Sequence, residues 1–166
     1  MIFRPANNGR EVKNRRTAPD RDNKKNMSKL KKQHHEKSGL ALAQECARIA
    51  MDTKAEELVI LDVRGLSSFT DYFVIMSGRS TRHVQGLAET IGSGLSSKRI
   101  SSKNCEGMKE GLWVLLDYSD VVVHIFYKDT RSFYDLDGLW HDAPQLASDA
   151  IAAEQQHTTG RQSRKQ

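Results

Sequence analysis

A chain of 166 residues suffices for one domain of ordinary size, but with 37% apolar residues and a mean hydropathy of −0.64, part of it must lie outside any core. The formal charge of +5 is unevenly placed: residues 1–38 hold 12 Lys/Arg against 4 Asp/Glu, residues 39–150 hold 11 against 16, and the last sixteen hold 3 against 1. An acidic body repels a phosphate backbone and suits a basic protein surface, so the overall positive charge is a poor guide to the partner.

No apolar run reaches the roughly eighteen residues of a membrane helix, and the basic N-terminal stretch lacks the apolar segment of a secretory signal, so a cytoplasmic protein with no membrane partner is expected. Cys46 and Cys105 have none of the clustering of a disulfide framework or zinc site and read as reduced thiols. Residues 1–38 lack apolar periodicity and read as a solvated, disordered basic extension able at most to a weak RNA contact; its single aromatic, Phe3, gives base stacking little support. His34-His35 has no further ligand beside it, and Met27 is a candidate start of translation.

From Gly39 to Met51, Leu42, Ala43, Cys46, Ile49 and Ala50 recur at helical spacing. Leu58–Val63 (LVILDV) is short, apolar and branched, as a strand covered on both faces requires; Tyr72–Met76 (YFVIM) is a second such run, stopped by Ser77-Gly78. Ser80 then caps a predicted helix whose apolar positions are Val84, Leu87, Ala88, Ile91 and Leu95. Residues 96–109 are polar, with at most a short strand near Ile100. Gly111–Asp117 and Val121–Tyr127 are two strand patterns joined by Tyr118-Ser119-Asp120, an antiparallel hairpin. Lys128–Trp140 is helical or turn-rich and ends before Pro144, and the tail past Ala150 is polar. The order helix, strand, strand, helix, strand, strand, helix implies an α/β chain of α+β type: a mixed sheet with flanking helices, its domain spanning 39–145 and a polar tail following over 146–166.

Ser77-Gly78-Arg79-Ser80, between strand and helix, has the form of an anion-binding corner and resembles the Gly-Ser corner of nucleotidyltransferases, which also need paired carboxylates to hold magnesium. Asp117 and Asp120 are the nearest to such a pair, yet they flank a turn, where Asp is favoured for its own hydrogen bonding. His124, amid Val and Ile, reads as a hydrogen-bonded core residue, and His83 as a polar loop contact. No nucleophile with its base is identifiable, no metal or cofactor is expected, and a nucleotide-binding or nucleotidyltransferase enzyme on this fold is the alternative function.

Alternation along Gly111–Asp117 puts Leu112, Val114 and Leu116 on one face, the expected core, and Trp113, Leu115 and Asp117 on the other. A large aromatic on the mixed face, with an acid at its end and Glu106-Gly107 before it, has the composition of an interface anchor with a charged rim; a Trp lying under a helix is the other reading.

Asp71–Val84 (DYFVIMSGRSTRHV), Glu106-Gly107, Trp113–Asp117 (WVLLD), Asp120–Phe126 (DVVVHIF), Arg131–Tyr134 (RSFY) and Leu139-Trp140 together resemble the Iojap-like ribosomal silencing factors, in family order and over about Gly39–Asp142. The resemblance implies a nucleotidyltransferase-like fold lacking the catalytic acids, and a binding protein that is not an enzyme. It implies binding to the large ribosomal subunit through that subunit's fourteenth protein, which sterically blocks the small subunit and represses translation under nutrient limitation. Carried onto this chain, the contact would use Trp113 and Leu112, with Glu106, Gly107 and Asp117 beside them; a homodimer is compatible with this reading.

Overall fold

The computed structural model describes residues 21–146, with side chains left undescribed at 21–23 and 32–37. The calls on Phe3, on His34-His35 and on the tail past Ala150 therefore lie outside the described residues or side chains. The chain divides between Gln33 and His34 into two units, and the second contains the whole sheet.

The first helix, α1 (Arg21–Asp52), begins well upstream of the apolar stripe that predicts a helix from Gly39. Lys, Arg, Gln and Glu are good helix formers, so a helix can run on beyond the part that has a core to face. In its later part Ala43, Cys46, Ala47, Ile49 and Ala50 are enclosed, at the 3–4 residue spacing of one helical face. The helix stops where Lys54 turns left-handed (φ 64°) and the Ala55 N–H reaches back to the Ala50 carbonyl at 2.9 Å.

Six strands follow: β1 (Glu56–Asp62), β2 (Tyr72–Gly78), β3 (Asn104–Glu106), β4 (Trp113–Asp117), β5 (Val121–Tyr127) and β6 (Gln145–Leu146). They form one sheet in the order β3-β4-β5-β2-β1-β6, parallel only between β2 and β5 and antiparallel elsewhere. This is the mixed sheet expected from the sequence. The central β2 is buried along its whole length, as its unbroken apolar run requires. The β4–β5 hairpin forms as predicted, its turn held by the Ser119 N–H donating to Asp117 Oδ1 at 2.8 Å with Ser119 left-handed (φ 73°). The other helices are α2 (Thr81–Ser97), α3 (Lys128–Tyr134) and α4 (Leu136–Leu139).

The two faces of the sheet are covered unequally. Val74, Met76, Val114, Leu116, Val121, Val123 and Ile125 meet the apolar sides of α1 and α2 in the larger core. The five positions predicted for α2, Val84, Leu87, Ala88, Ile91 and Leu95, are the ones it buries. On the opposite face Leu61, Val63, Phe73, Ile75, Val122, Phe126 and Ala143 form a smaller cluster, under short helices and Trp140.

Three expectations need correction. The strand in 96–109 is β3 at Asn104–Glu106 and not near Ile100, because α2 runs on to Ser97 and the Ile100 N–H closes its end on the Leu95 carbonyl at 3.0 Å. A sixth strand, β6, follows Pro144, where the sequence offers two residues and no alternation to read. Leu112 is not core: β4 begins at Trp113, Gly111 is left-handed (φ 63°), and Leu112 is 46% exposed.

Candidate partner-binding face

Side chains of directly paired residues in neighbouring strands point to the same face. Trp113 pairs with Phe126, Leu115 pairs with both Glu106 and His124, and Asp117 pairs with Asn104 and Val122. Glu106, Trp113 and Asp117, singled out in the sequence, therefore share one face of the sheet. It is the thinly covered face, since β4 buries Val114 and Leu116 on the other side.

Trp113 is half-buried on this face. Its ring stacks on Phe126 at 4.9 Å between centroids, tilted 26°, and Tyr134 from α3 approaches at 4.8 Å. The indole N–H donates to His124 Nδ1 at 3.2 Å. Trp113 therefore lies against a helix residue, as the second reading of the sequence has it, but is not fully covered and retains exposed surface. His124 is 5% exposed and packs edge-on to Phe73 at 5.1 Å, in keeping with a hydrogen-bonded core histidine. Burial holds its pKa down at about 4, so the ring is neutral.

The two glycines before β4 shape this site. Gly107 is left-handed (φ 77°), and a side chain there would run into the Trp113 carbonyl; Gly111 is left-handed as well, with the Thr81 carbonyl 2.7 Å from where its Cβ would be. The Gly111 N–H closes the loop on the Gly107 carbonyl at 3.0 Å, and Gln85 on α2 donates to the Met108 and Lys109 carbonyls at 2.8 and 3.2 Å. Gly107 thus lets the loop pass against the strand. Glu106 is exposed on β3 and accepts a hydrogen bond from Asn104 Nδ2 at 2.5 Å. Asp117 is half-buried, with one carboxylate oxygen engaged by the hairpin turn.

Several large apolar side chains are exposed: Phe133 (81%), Leu139 (74%), Phe69, Tyr134 and Leu112, of which Tyr134 lies against Trp113. Phe133 abuts Tyr134 edge-on at 5.1 Å and Phe69 lies 6.1 Å from Phe73, so rings run from the helix side to the β1–β2 loop. The sequence places Phe133, Tyr134 and Leu139 in a helical or turn-rich segment and among the residues of the family resemblance, without marking them as exposed. Their exposure follows from α3 and α4 being too short to bury both flanks, which no periodicity within seven and four residues reveals.

The Ser77–Ser80 corner is occupied by the chain's own groups. Ser80 Oγ accepts the His83 N–H at 3.1 Å, and His83 Nδ1 accepts the Arg79 N–H at 3.1 Å while its Nε2 lies 2.9 Å from the Thr53 carbonyl. His83 is the loop contact the sequence suggested, joining the start of α2 to the end of α1. Among the described residues no group of three or more His, Cys, Asp or Glu side chains converges as metal ligands would.

The family model described as "Ribosomal silencing factor during starvation" matches residues 13–166. This chain belongs to that family of ribosomal silencing factors. It is 46% identical over 93 residues to ribosomal silencing factor RsfS of Bacillus subtilis, covering 56% of this chain and 79% of that one. It is also similar to the chloroplastic Iojap protein of Arabidopsis thaliana, with 32% identity over 107 residues, 64% of this chain and 44% of that one. A crystal structure of a Bacillus halodurans protein superposes with a TM-score of 0.59 at 37% identity, covering 65% of this chain and 98% of the other. The Iojap-like resemblance in the sequence is thereby confirmed. Among the described residues no helix is long and apolar enough to cross a membrane.

Proposed function

We propose that this ribosomal silencing factor acts in the cytoplasm without catalysis. It binds the large ribosomal subunit through that subunit's fourteenth protein, and its bulk then stands where the small subunit would join. Translation is repressed by occlusion when nutrients are limiting. Trp113 and Leu112 form the apolar centre of the contact, with Glu106, Gly107 and Asp117 at its rim, and Tyr134 and Phe133 extend it.

One observation carries this reading: the rings of Trp113, Tyr134 and Phe133 form a connected set that is half-buried at Trp113 and exposed beyond it, on the sheet face that also bears Glu106 and Asp117. Exposed apolar groups of this size mark interaction surfaces, and half-buried aromatics held by packing are typical anchors. The carboxylate rim favours a basic protein, in line with the acidic count of residues 39–150.

The test is sedimentation of cell extract through a sucrose gradient. The protein is expected with free large subunits and absent from joined ribosomes, and adding it to purified subunits should reduce their joining. Recovery only at the top of the gradient would refute the proposal. Deleting residues 1–37 should leave the association largely intact, because the folded domain makes the contact.

A further inference from the structure

The hydrogen bond between Trp113 and His124 is unusual in how little else it serves. The imidazole is 5% exposed, and its Nδ1 is held as the acceptor of the indole N–H at 3.2 Å. A neutral ring accepting at Nδ1 carries its proton on Nε2, and Nε2, although buried, has no hydrogen-bond partner among the described residues. A buried donor without a partner is destabilising, and a Phe or Leu at this place in β5 would fill a strand of Val, Ile and Phe with no such penalty.

The neighbours show what the imidazole contributes. Phe126, two residues along β5, stacks on the indole, and Tyr134 lies at 4.8 Å. Those contacts are between rings, and ring packing does not by itself fix where the indole N–H points. A directional bond to one nitrogen does. The nitrogen that accepts it belongs to a ring itself fixed between Phe73 and Phe126. The indole is thus held in one orientation before any partner arrives, and preorganisation of an anchor reduces the entropy lost on binding.

We infer that His124 is a positioning residue for the partner contact: its Nδ1 locks the Trp113 indole in the orientation that the partner receives. This rests on the proposed use of Trp113 as the anchor. It requires a neutral ring at position 124, and it explains why a polar side chain with an unpartnered nitrogen stands in an otherwise apolar strand.

The test compares Trp113→Ala, His124→Phe and His124→Asn in the full chain, reading affinity for purified large ribosomal subunits, thermal stability and nitrogen NMR. In the wild type a scalar coupling across the hydrogen bond should join indole Nε1 to His124 Nδ1. His124→Phe should keep a near-wild-type melting temperature yet bind large subunits roughly five- to tenfold more weakly, the effect of one lost hydrogen bond. His124→Asn, whose Oδ1 stands near the place of Nδ1, should recover most of that affinity. If Trp113→Ala weakens binding but His124→Phe does not, the positioning role is overturned while the anchor stands. If Trp113→Ala binds like wild type, the anchor and the inference fall together. Absence of the internuclear coupling would also overturn the inference.

Discussion

Arg131 Nη1 donates to the main-chain carbonyl of Glu57 at 2.6 Å, joining α3 to the first turn of β1 across 74 residues of sequence. Glu57 is left-handed (φ 48°) at an irregularity in the β1–β2 pairing, a conformation unfavourable for a residue with a Cβ. The same guanidinium donates to Ser77 Oγ at 3.1 Å and forks onto both oxygens of Asp137, each at 3.1 Å. Arg131 is 9% exposed, so these partners replace its water. Removing it leaves the Glu57 carbonyl and the buried Ser77 hydroxyl short of a donor and frees the short helices that carry Phe133, Tyr134 and Leu139. Arg131→Met should therefore destabilise the domain by about 2–4 kcal/mol, measured by urea denaturation. Asp137→Asn, on the more exposed side, should have a smaller effect. Equal stability of Arg131→Met and wild type would mean that the network is incidental.

Gly107→Ala should be among the most damaging single-methyl changes in the chain. Two effects combine: the residue is left-handed, and its Cβ would run into the Trp113 carbonyl on the neighbouring strand. The positive φ alone is worth about 1–2 kcal/mol, and the collision must displace backbone. A lowered melting temperature together with weakened large-subunit binding is expected, because the displaced backbone is that of Trp113. By contrast Gly86→Ala, on α2 with open space around it, should be neutral or stabilising by up to about 1 kcal/mol.

Much of this fold can be read from the sequence because its signals are long. The α2 stripe from Val84 to Leu95 and the buried runs of β2 and β5 span five or more residues each, enough for a period to show. The misplaced elements are β3 and β6, of two or three residues, whose existence depends on pairing with a partner strand, and the upstream part of α1, whose polar sequence carries no stripe to read. Leu112 departs from its expected core place for a related reason: alternation assumes a continued strand, and Gly111 breaks it. The candidate site was partly legible. Trp113 and Glu106 declare themselves by type and position, whereas the roles of Tyr134, Phe126 and His124 arise from contacts between β4, β5 and α3 that no local spacing encodes.

Acid should destabilise this protein in two separable steps. His124 has its pKa lowered from 6.5 to about 4 by burial, so below pH 6.5 the unfolded chain takes up a proton that the folded chain refuses. Stability should fall as pH drops from about 6.5 to 4, by up to about 3 kcal/mol for a shift of that size. Glu45 is lowered from 4.5 to about 2, chiefly by its hydrogen bonds from Arg48, with Lys98 contributing from 2.6 Å. The stability it contributes is complete above pH 4.5 and is lost as pH falls through 2. Arg48 and Lys98 are 40% and 53% exposed, so solvent screening brings this to about 1 kcal/mol. Melting curves between pH 7 and 2 should show both steps; His124→Phe should flatten the first and Glu45→Gln the second, and an unaltered profile in either variant would reject that assignment.

Trp113→Ala separates the two contributions of the indole. On the binding side, loss of a central aromatic anchor is expected to weaken the large-subunit complex by about 2 kcal/mol or more. On the folding side, the ring is half-buried and its removal opens space beside Phe126 and Tyr134, so a stability loss of about 1–2 kcal/mol accompanies it. Phe133→Ser provides the control for surface alone: at 81% exposure it should leave stability within about 0.5 kcal/mol of wild type. If the contact extends onto α3 as proposed, Phe133→Ser should still reduce subunit association, measured by cosedimentation at matched protein concentration. Unchanged association in Phe133→Ser with a loss in Trp113→Ala would confine the contact to the strand side of the aromatic face.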